Sequence, residues 1–350
     1  MNKFNNYLNS SNNILFYSMF LMMLILSIIS ISLSNFMHLW LLMEINTLIF
    51  ISMMALETKN FKLTFNFFLI QSISSLMLIY LMNLKHSLFN NSEWINFILI
   101  LSLSMKIGLF PFFYWPPLIN KNISWKMIFI MSTTQKFIPL LLIYSYFNNI
   151  ENKFTNFMLI TMSIFSSLMS IIMCLNENNI KKIMTYSSLN HLSWMIFIII
   201  FDLSMFMIYF SFYFISMMFM CLMLNKLDIK TFQNLFKFQY FNYKEINFYL
   251  SLNLLIISAL PPFMTFLIKL NSIKILIEGM SFSSSFMLTM ISILTLIFYM
   301  NMIMKFNIFS LIKSKFYYTY QLNFKFNFYS LILTSFMTLS FLFLMFKFIN

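Results

Sequence analysis

Apolar positions along this chain gather into long runs separated by short polar breaks. Eleven such runs can be marked, at 14–34, 36–56, 61–84, 94–114, 124–147, 154–175, 180–201, 204–226, 247–270, 283–304 and 328–348. A run of about twenty apolar residues, wound as a helix, crosses the hydrocarbon core of a bilayer. Most connections are a few residues long. The stretches 227–246 and 305–327 are longer and rich in Lys, Asn and aromatic residues, as expected of amphipathic segments lying along a membrane surface. No stretch is left over for a soluble domain. The pattern predicts an all-α polytopic membrane protein of about eleven transmembrane helices.

Composition agrees. Of 350 residues, 61% are hydrophobic and 9% charged, and the mean hydropathy is +0.83. A soluble domain carries about 25% charged residues, and a water-facing globule of this size cannot hide so much apolar surface. A soluble enzyme, a disordered chain and a disulfide scaffold are therefore excluded. Gly occurs twice, Ala twice (Ala55, Ala259) and Val and Arg not at all, while there are 48 Phe and 34 Met. Such usage follows AT-rich codons, and the methionines fit a code in which AUA is also read as Met. A mitochondrial genome explains both, against an AT-rich bacterium or a designed sequence.

The formal charge of +13 would suggest nucleic acid in a soluble protein. Here the lysines lie between apolar runs, where they set orientation instead. With the N-terminus and every even-numbered loop on one side, that side holds fifteen lysines and the other four (Lys85, Lys153, Lys274, Lys347). The lysine-rich side is the inside, which for a mitochondrial protein is the matrix. The N-terminus is expected there and the C-terminus opposite. Residues 1–13 hold one Lys and do not resemble a transit peptide.

Three lysines remain, Lys106, Lys136 and Lys269, and each falls inside an apolar run. A charge at the bilayer centre costs about 2.5–3.5 kcal/mol on insertion scales. Lys136 lies too far from either end of its run to snorkel out. Glu44, in LLMEINTL, is also near mid-span. Four ionisable residues at this depth point to a polar path through the protein. The six prolines sit beside the same lysines: Pro111, Pro116 and Pro117 after Lys106, Pro139 after Lys136, and Pro261 and Pro262 before Lys269. Proline removes a helix hydrogen bond, which a membrane tolerates where the freed groups are buried in protein or face a water-filled cavity. Pro139 by itself reads equally well as a packing kink. The most broken runs are the fourth and the ninth. A five-helix repeat has an odd number of crossings, so its copies are inverted, a known transporter architecture. The expected layout is a first five-helix bundle over 14–147, a second over 154–304 and a last helix over 328–348, within one transmembrane domain spanning 1–350.

Other chemistry finds little support. Cys174 and Cys221 lie in apolar runs without a CxxC pattern and read as inert core residues. An iron–sulfur cluster needs four thiolates. No Gly-rich nucleotide loop, paired mid-span histidines or metal-ligand pattern is present. His38 and His86 lie near span ends, Lys181 and Lys182 read as topology anchors, and Asp202 and Glu278 as loop acids.

LLMEINTLIFI, SMKIGLFPFFYWPP, STTQKFIPLLL, IKKIMTYSSLNHLSWM and LPPFMTFLIKL occur in that order. Together they resemble the chain 2 family of mitochondrial NADH:ubiquinone oxidoreductase, respiratory complex I, closely over residues 36–272. The K-x-G-x-x-P-F run is shared with the sibling chains 4 and 5 and with cation/proton antiporters. E-I-N, Q-K-x-x-P and the short length favour chain 2. The resemblance implies two inverted antiporter-like five-helix bundles. It implies proton-relay roles for Glu44 with Lys106, for Lys136 as the central lysine, for Lys269 on the second broken helix, and for His191 between the central and distal lysines. His191 equally fits a hydrogen-bonded packing histidine. Ser193 and Thr265 depart from the family, which usually has Gly at the first position and commonly at the second. The resemblance also implies a mitochondrial inner-membrane location and neighbouring complex I subunits, antiporter-like chains among them. NADH, FMN, iron–sulfur clusters and ubiquinone would be held by those other subunits, with no cofactor or metal on this chain. Membrane lipids are expected contacts and nucleic acid is not.

A lysine relays protons near neutrality only where its surroundings disfavour the charged form; burial and a nearby cation do this, and a glutamate opposes it. A Glu44–Lys106 pair can thus act as a switch toward Lys136, with the groups titrating as a coupled set. The expected function is proton translocation coupled to electron transfer from NADH to ubiquinone. The alternatives are a stand-alone cation/proton antiporter and a structural scaffold with buried ion pairs. Three mid-span lysines against one mid-span acid argue against the scaffold.

Overall fold

A computed structural model describes residues 2–58, 60–87, 93–147, 153–227, 229–231, 244–261, 263–279 and 282–311. The expected surface segments at 227–246 and 305–327 lie mostly outside these residues, and the eleventh run at 328–348 lies wholly outside them. Thirteen helices are described: α1 (Asn2–Ser32), α2 (Phe36–Thr58), α3 (Phe61–Ser87), α4 (Glu93–Ile107), α5 (Trp115–Asn120), α6 (Trp125–Ser132), α7 (Thr134–Phe147), α8 (Lys153–Leu175), α9 (Ile180–Phe201), α10 (Leu203–Lys226), α11 (Lys244–Ile257), α12 (Met264–Gly279) and α13 (Phe282–Leu311). Eight stretches are long and apolar enough to cross a membrane, the pair α6 and α7 counting as one. The fourth and ninth runs are broken, as the prolines require. The fourth stops at Ile107 and resumes as the short α5, and the ninth divides into α11 and α12.

Large apolar side chains cover the surface as well as the core, and many polar ones are buried. Ile14, Leu21, Ile28, Phe61, Leu76, Trp94 and Ile293 are exposed, as lipid requires, while Ser, Thr, Asn and Lys fill much of the interior. With no water in the bilayer core, buried hydroxyls bond within their own helix. Ser74 donates to the Gln71 carbonyl (2.7 Å), Ser163 to Ile160 (2.7 Å) and Ser193 to Asn190 (2.6 Å). The serine at 193, where glycine is usual, is therefore satisfied by its own helix.

The helices group by contact into two compact units, Met1–Ser170 with Met184–Ile200, and Ile171–Ile183 with Phe201–Asn350. Most of α9, from Met184 to Ile200, groups with the first unit, where Ser188 receives the Lys136 side chain of α7.

In the first unit α2 packs against α1, α3 and α7, and α4 against α3 and α7. Phe50 and Phe67 meet edge to face at 5.2 Å, and Phe67 tilts onto Trp115 at 5.9 Å, joining α2, α3 and α5. The Lys126 ammonium, at the start of α6, stands 5.5 Å from the Tyr17 ring centre and 5.7 Å from that of Phe16, near the start of the apolar run in α1. Runs one and five thus begin side by side, as their parity in the lysine count requires. In the second unit α10 packs on α11 and α12, and α13 on both, around Phe219, Ile256 and Phe263. A single bridge pairs Asn179 with Thr231, and the Ile180 N–H donates to the Lys230 carbonyl at 3.0 Å. Asp202 is more than a loop acid: it caps the N-terminus of α10, accepting from the Ser204 N–H (2.8 Å) and Oγ (2.7 Å). Lys182 pairs with Glu177 at 2.5 Å.

Candidate functional site: a polar track in the first unit

The first break sets the site. Gly108 has φ +82°, and a Cβ there would come within 2.5 Å of Pro116 Cγ. The left-handed backbone and the close approach both demand glycine. The chain leaves α4 one turn after Ser104, whose carbonyl accepts from the N–H groups of both Gly108 and Leu109 at 2.9 Å. Two of the last carbonyls receive side-chain donors. Trp115 Nε1 bonds the Met105 carbonyl (3.0 Å), and Gln71 Nε2, from α3, bonds that of Lys106 (3.2 Å). Lys106 is in the last turn of α4, where the negative end of the helix dipole favours a cation. Its Nζ donates to Glu44 Oε1 of α2, making a buried ion pair. The pair is lopsided: 1% of the Lys106 side chain is accessible and 24% of the Glu44 side chain.

The fifth run is interrupted too, at a place the sequence did not mark. Its proline is Pro139, inside α7, but the helix breaks six residues earlier at Thr133, with φ −117° and ψ −82°. Pro139 has no N–H for the Gln135 carbonyl and crowds it. The strain is taken up in the turn before: Thr133 Oγ1 bonds back to the Phe129 carbonyl (2.7 Å), and the Lys136 N–H reaches Thr133 at 3.0 Å. Lys136 therefore sits in the first turn of α7, next to an interruption.

Lys136 Nζ donates to Ser188 Oγ of α9 at 3.2 Å, and Ser188 donates to the Thr185 carbonyl at 2.7 Å. His191 is three residues further along α9, on the same face, and is 2% exposed. Lys106 and Lys136 line one cavity together with Thr47, Gln71 and Gln135. Its volume of ≈ 10 Å³ is room for about one water-sized sphere. Glu44 thus pairs with Lys106, Lys106 and Lys136 share a cavity, and Lys136 bonds Ser188, one turn from His191 on α9.

Lys269 belongs to the second unit. It is buried in the second turn of α12, and Ser272 Oγ bonds its carbonyl at 2.7 Å. The break before it turns at Ala259, with φ +58°. Thr265, where the resemblance implies glycine, donates its Oγ1 at 3.0 Å to the Ile256 carbonyl, which also accepts from the Ala259 N–H at 3.2 Å. Pro262 lies outside the described residues.

The sequence reading placed the charged residues and passed over the neutral ones that hold them. Ser188, Gln71, Trp115, Asn46 and Gln135 were not singled out. The signals were present in the polar YSSLNH stretch inside an apolar run, and in the Asn and Gln of E-I-N and Q-K-x-x-P.

Residues 63–298 match the family model described as NADH:quinone oxidoreductase/Mrp antiporter, transmembrane. A relative from Anopheles gambiae, NADH-ubiquinone oxidoreductase chain 2, is 36% identical over 74% of this chain and 75% of its own length. One of the same name from Artemia franciscana is 32% identical over 71% of this chain and 76% of its own. Among solved structures, respiratory complex I from Thermus thermophilus contains a chain alike in fold, with TM-score 0.74, 13% identity, and 93% of this chain and 77% of that one covered. The Mrp complex from Dietzia sp. contains another, with TM-score 0.67, 12% identity, and 77% and 56% covered. The matched residues include α4 to α12 with the fourth and ninth runs and the three mid-span lysines Lys106, Lys136 and Lys269, and on these grounds the chain belongs to the NADH:quinone oxidoreductase/Mrp antiporter family of transmembrane proteins.

Proposed function

We propose that this chain is a membrane-arm subunit of NADH:ubiquinone oxidoreductase and takes part in moving protons across the mitochondrial inner membrane, with its N-terminus in the matrix. Glu44, Lys106, Lys136, His191 and Lys269 are its relay groups. The chain carries no redox centre; NADH, FMN, iron–sulfur clusters and ubiquinone belong to other subunits of the complex. Its contacts are those subunits, antiporter-like chains among them, and membrane lipid, with no nucleic acid.

The observation that carries this reading is the Glu44–Lys106 pair, with its lysine buried, beside Lys136, and a water-sized cavity lined by both lysines. A closed pair holds the Lys106 charge. Lys106 is sealed, so the pair can be altered only from the side of Glu44, the member that is accessible. When the pair opens, the uncompensated Lys106 cation repels a charge on Lys136 across little intervening dielectric. A proton on Lys136 is then driven onward as Ser188, which accepts from Lys136 Nζ, turns its own proton away from the Thr185 carbonyl and releases it on the face that carries His191 one turn beyond. The energy scale suffices, since a charge moved against 100 mV costs about 2.3 kcal/mol. Electron transfer elsewhere in the complex supplies the drive.

The first test is native electrophoresis of detergent-solubilised membranes with an in-gel stain for NADH oxidation. Co-migration with one large NADH-oxidising band is expected; migration as a small separate species would instead favour a stand-alone antiporter, the reading that the likeness to the Mrp complex keeps in view. Within the assembled complex, Lys136→Met should abolish most proton pumping while leaving NADH oxidation by artificial acceptors intact.

A further inference from the structure

The Glu44–Lys106 pair and Lys136 are also linked mechanically, by two neutral residues that the relay does not use. Asn46 lies on α2 two residues after Glu44 and is 1% exposed. Its Nδ2 donates to the Thr134 carbonyl at 3.3 Å. In return Gln135 Nε2 donates to the Asn46 carbonyl at 3.0 Å. The two bonds cross the same α2–α7 contact in opposite directions. They grip the two residues between the interruption at Thr133 and Lys136.

We propose that Asn46 and Gln135 are positioning residues that transmit the state of the Glu44–Lys106 pair to Lys136. The proposal rests on the reading that these charged groups form the relay. One continuous helix, α2, carries Glu44 toward Lys106 and Asn46 toward the start of α7. A displacement of α2 that opens the pair carries Asn46 with it. The first turn of α7 yields more readily than an unbroken helix would, because the helix is interrupted at Thr133 and Pro139 removes a bond one turn on. The Lys136 side chain starts from the residue next to Gln135. A small rotation of that turn changes its approach to Ser188, whose bond at 3.2 Å is already long. The state of the pair is thus felt at Lys136 through geometry as well as through charge. Neutral amides suit this role, since they grip carbonyls without adding a charge to the path.

The test is a double-mutant cycle on proton pumping in the assembled complex, with complex content normalised by NADH oxidation through an artificial acceptor. Glu44→Gln and Gln135→Met are made singly and together, and the neutral Gln135→Leu replaces Gln135→Met if that variant fails to assemble. Gln135→Met alone should lower pumping about three- to tenfold. Combined with Glu44→Gln, it should lower pumping no further than the worse single variant does, because a disconnected clamp has no pair state left to transmit. Asn46→Leu should behave in the same way. Losses that multiply would show a merely structural role and overturn the proposal, as would wild-type pumping in Gln135→Met. If Glu44→Gln and Lys136→Met themselves leave pumping intact, it is the relay reading that fails.

Discussion

The two broken runs solve one backbone problem with different chemistry. Each ends a helix inside the apolar region with a left-handed residue, Gly108 at φ +82° and Ala259 at φ +58°, and each reaches a proline soon after, Pro111 and Pro261. At the first break the carbonyls left over are met from a distance, by Trp115 ten residues on and by Gln71 of α3. At the second, Thr265 meets the Ile256 carbonyl from nine residues on in the same run. The first lysine ends the helix before its break and is paired with Glu44; the second lies in the helix after its break. The first break is thus built around an ion pair and admits no Cβ. The second carries a Cβ already and is held by a local hydroxyl. A shared fold can therefore place a lysine beside a broken helix in both units without giving the two lysines the same surroundings.

Substitutions can break this comparison or sharpen it. The largest effect is expected for Glu44→Ala, which leaves the sealed Lys106 cation without its partner. Removing one member of a buried pair costs about 3–5 kcal/mol. The yield of assembled complex and the temperature at which it loses NADH:ubiquinone activity should both fall. Gly108→Ala should follow at about 2–5 kcal/mol, from the left-handed backbone and the clash with Pro116 together. If it is tolerated as Ala259 is, the contrast between the two breaks collapses. Gln71→Leu strips the Lys106 carbonyl of its side-chain donor, at a cost of about 1–3 kcal/mol, while Thr265→Val leaves the Ile256 carbonyl its Ala259 N–H and should cost about 0.5–1.5 kcal/mol. Comparable falls in thermal inactivation temperature would show that the two caps are equivalent despite their different origins. Ala259→Gly is expected to do least, stabilising by up to about 1 kcal/mol as relief of the left-handed strain is partly offset by chain entropy. Heating curves of the purified complex would resolve its sign.

Run length and the placement of lysine and proline carried most of the architecture. Eight long apolar stretches, one of them interrupted at Thr133, and the broken fourth and ninth runs occupy the first ten of the eleven expected spans, and the eleventh lies beyond the described residues. Glu44, Lys106, Lys136 and Lys269 stood out because a charge in hydrocarbon is expensive whatever surrounds it. The break at Thr133 was not legible, since the feature that marks it, Pro139, acts on the turn before itself and the distortion can settle at any weak point there. Nor were Ser188, Asn46, Gln71 and Gln135 legible as site residues. Ser and Asn recur in nearly every run, most of the described hydroxyls bond their own helix, and nothing local separates those that reach a neighbouring helix.

The sequence by itself determined that the chain crosses a membrane many times, that the fourth and ninth runs are broken, and that Glu44, Lys106, Lys136 and Lys269 fall inside apolar runs. These follow from one-dimensional quantities, namely apolar run length, charge placement and the lost N–H of proline. The tertiary structure alone decided that Lys106 is sealed while Glu44 is reachable, that Lys136 meets Ser188, and that Asn46 and Gln135 tie the two lysine sites together. Those contacts join residues 52 to 89 positions apart. They exist because helix packing brings particular faces within hydrogen-bond reach, and run length and composition carry no record of that rotation.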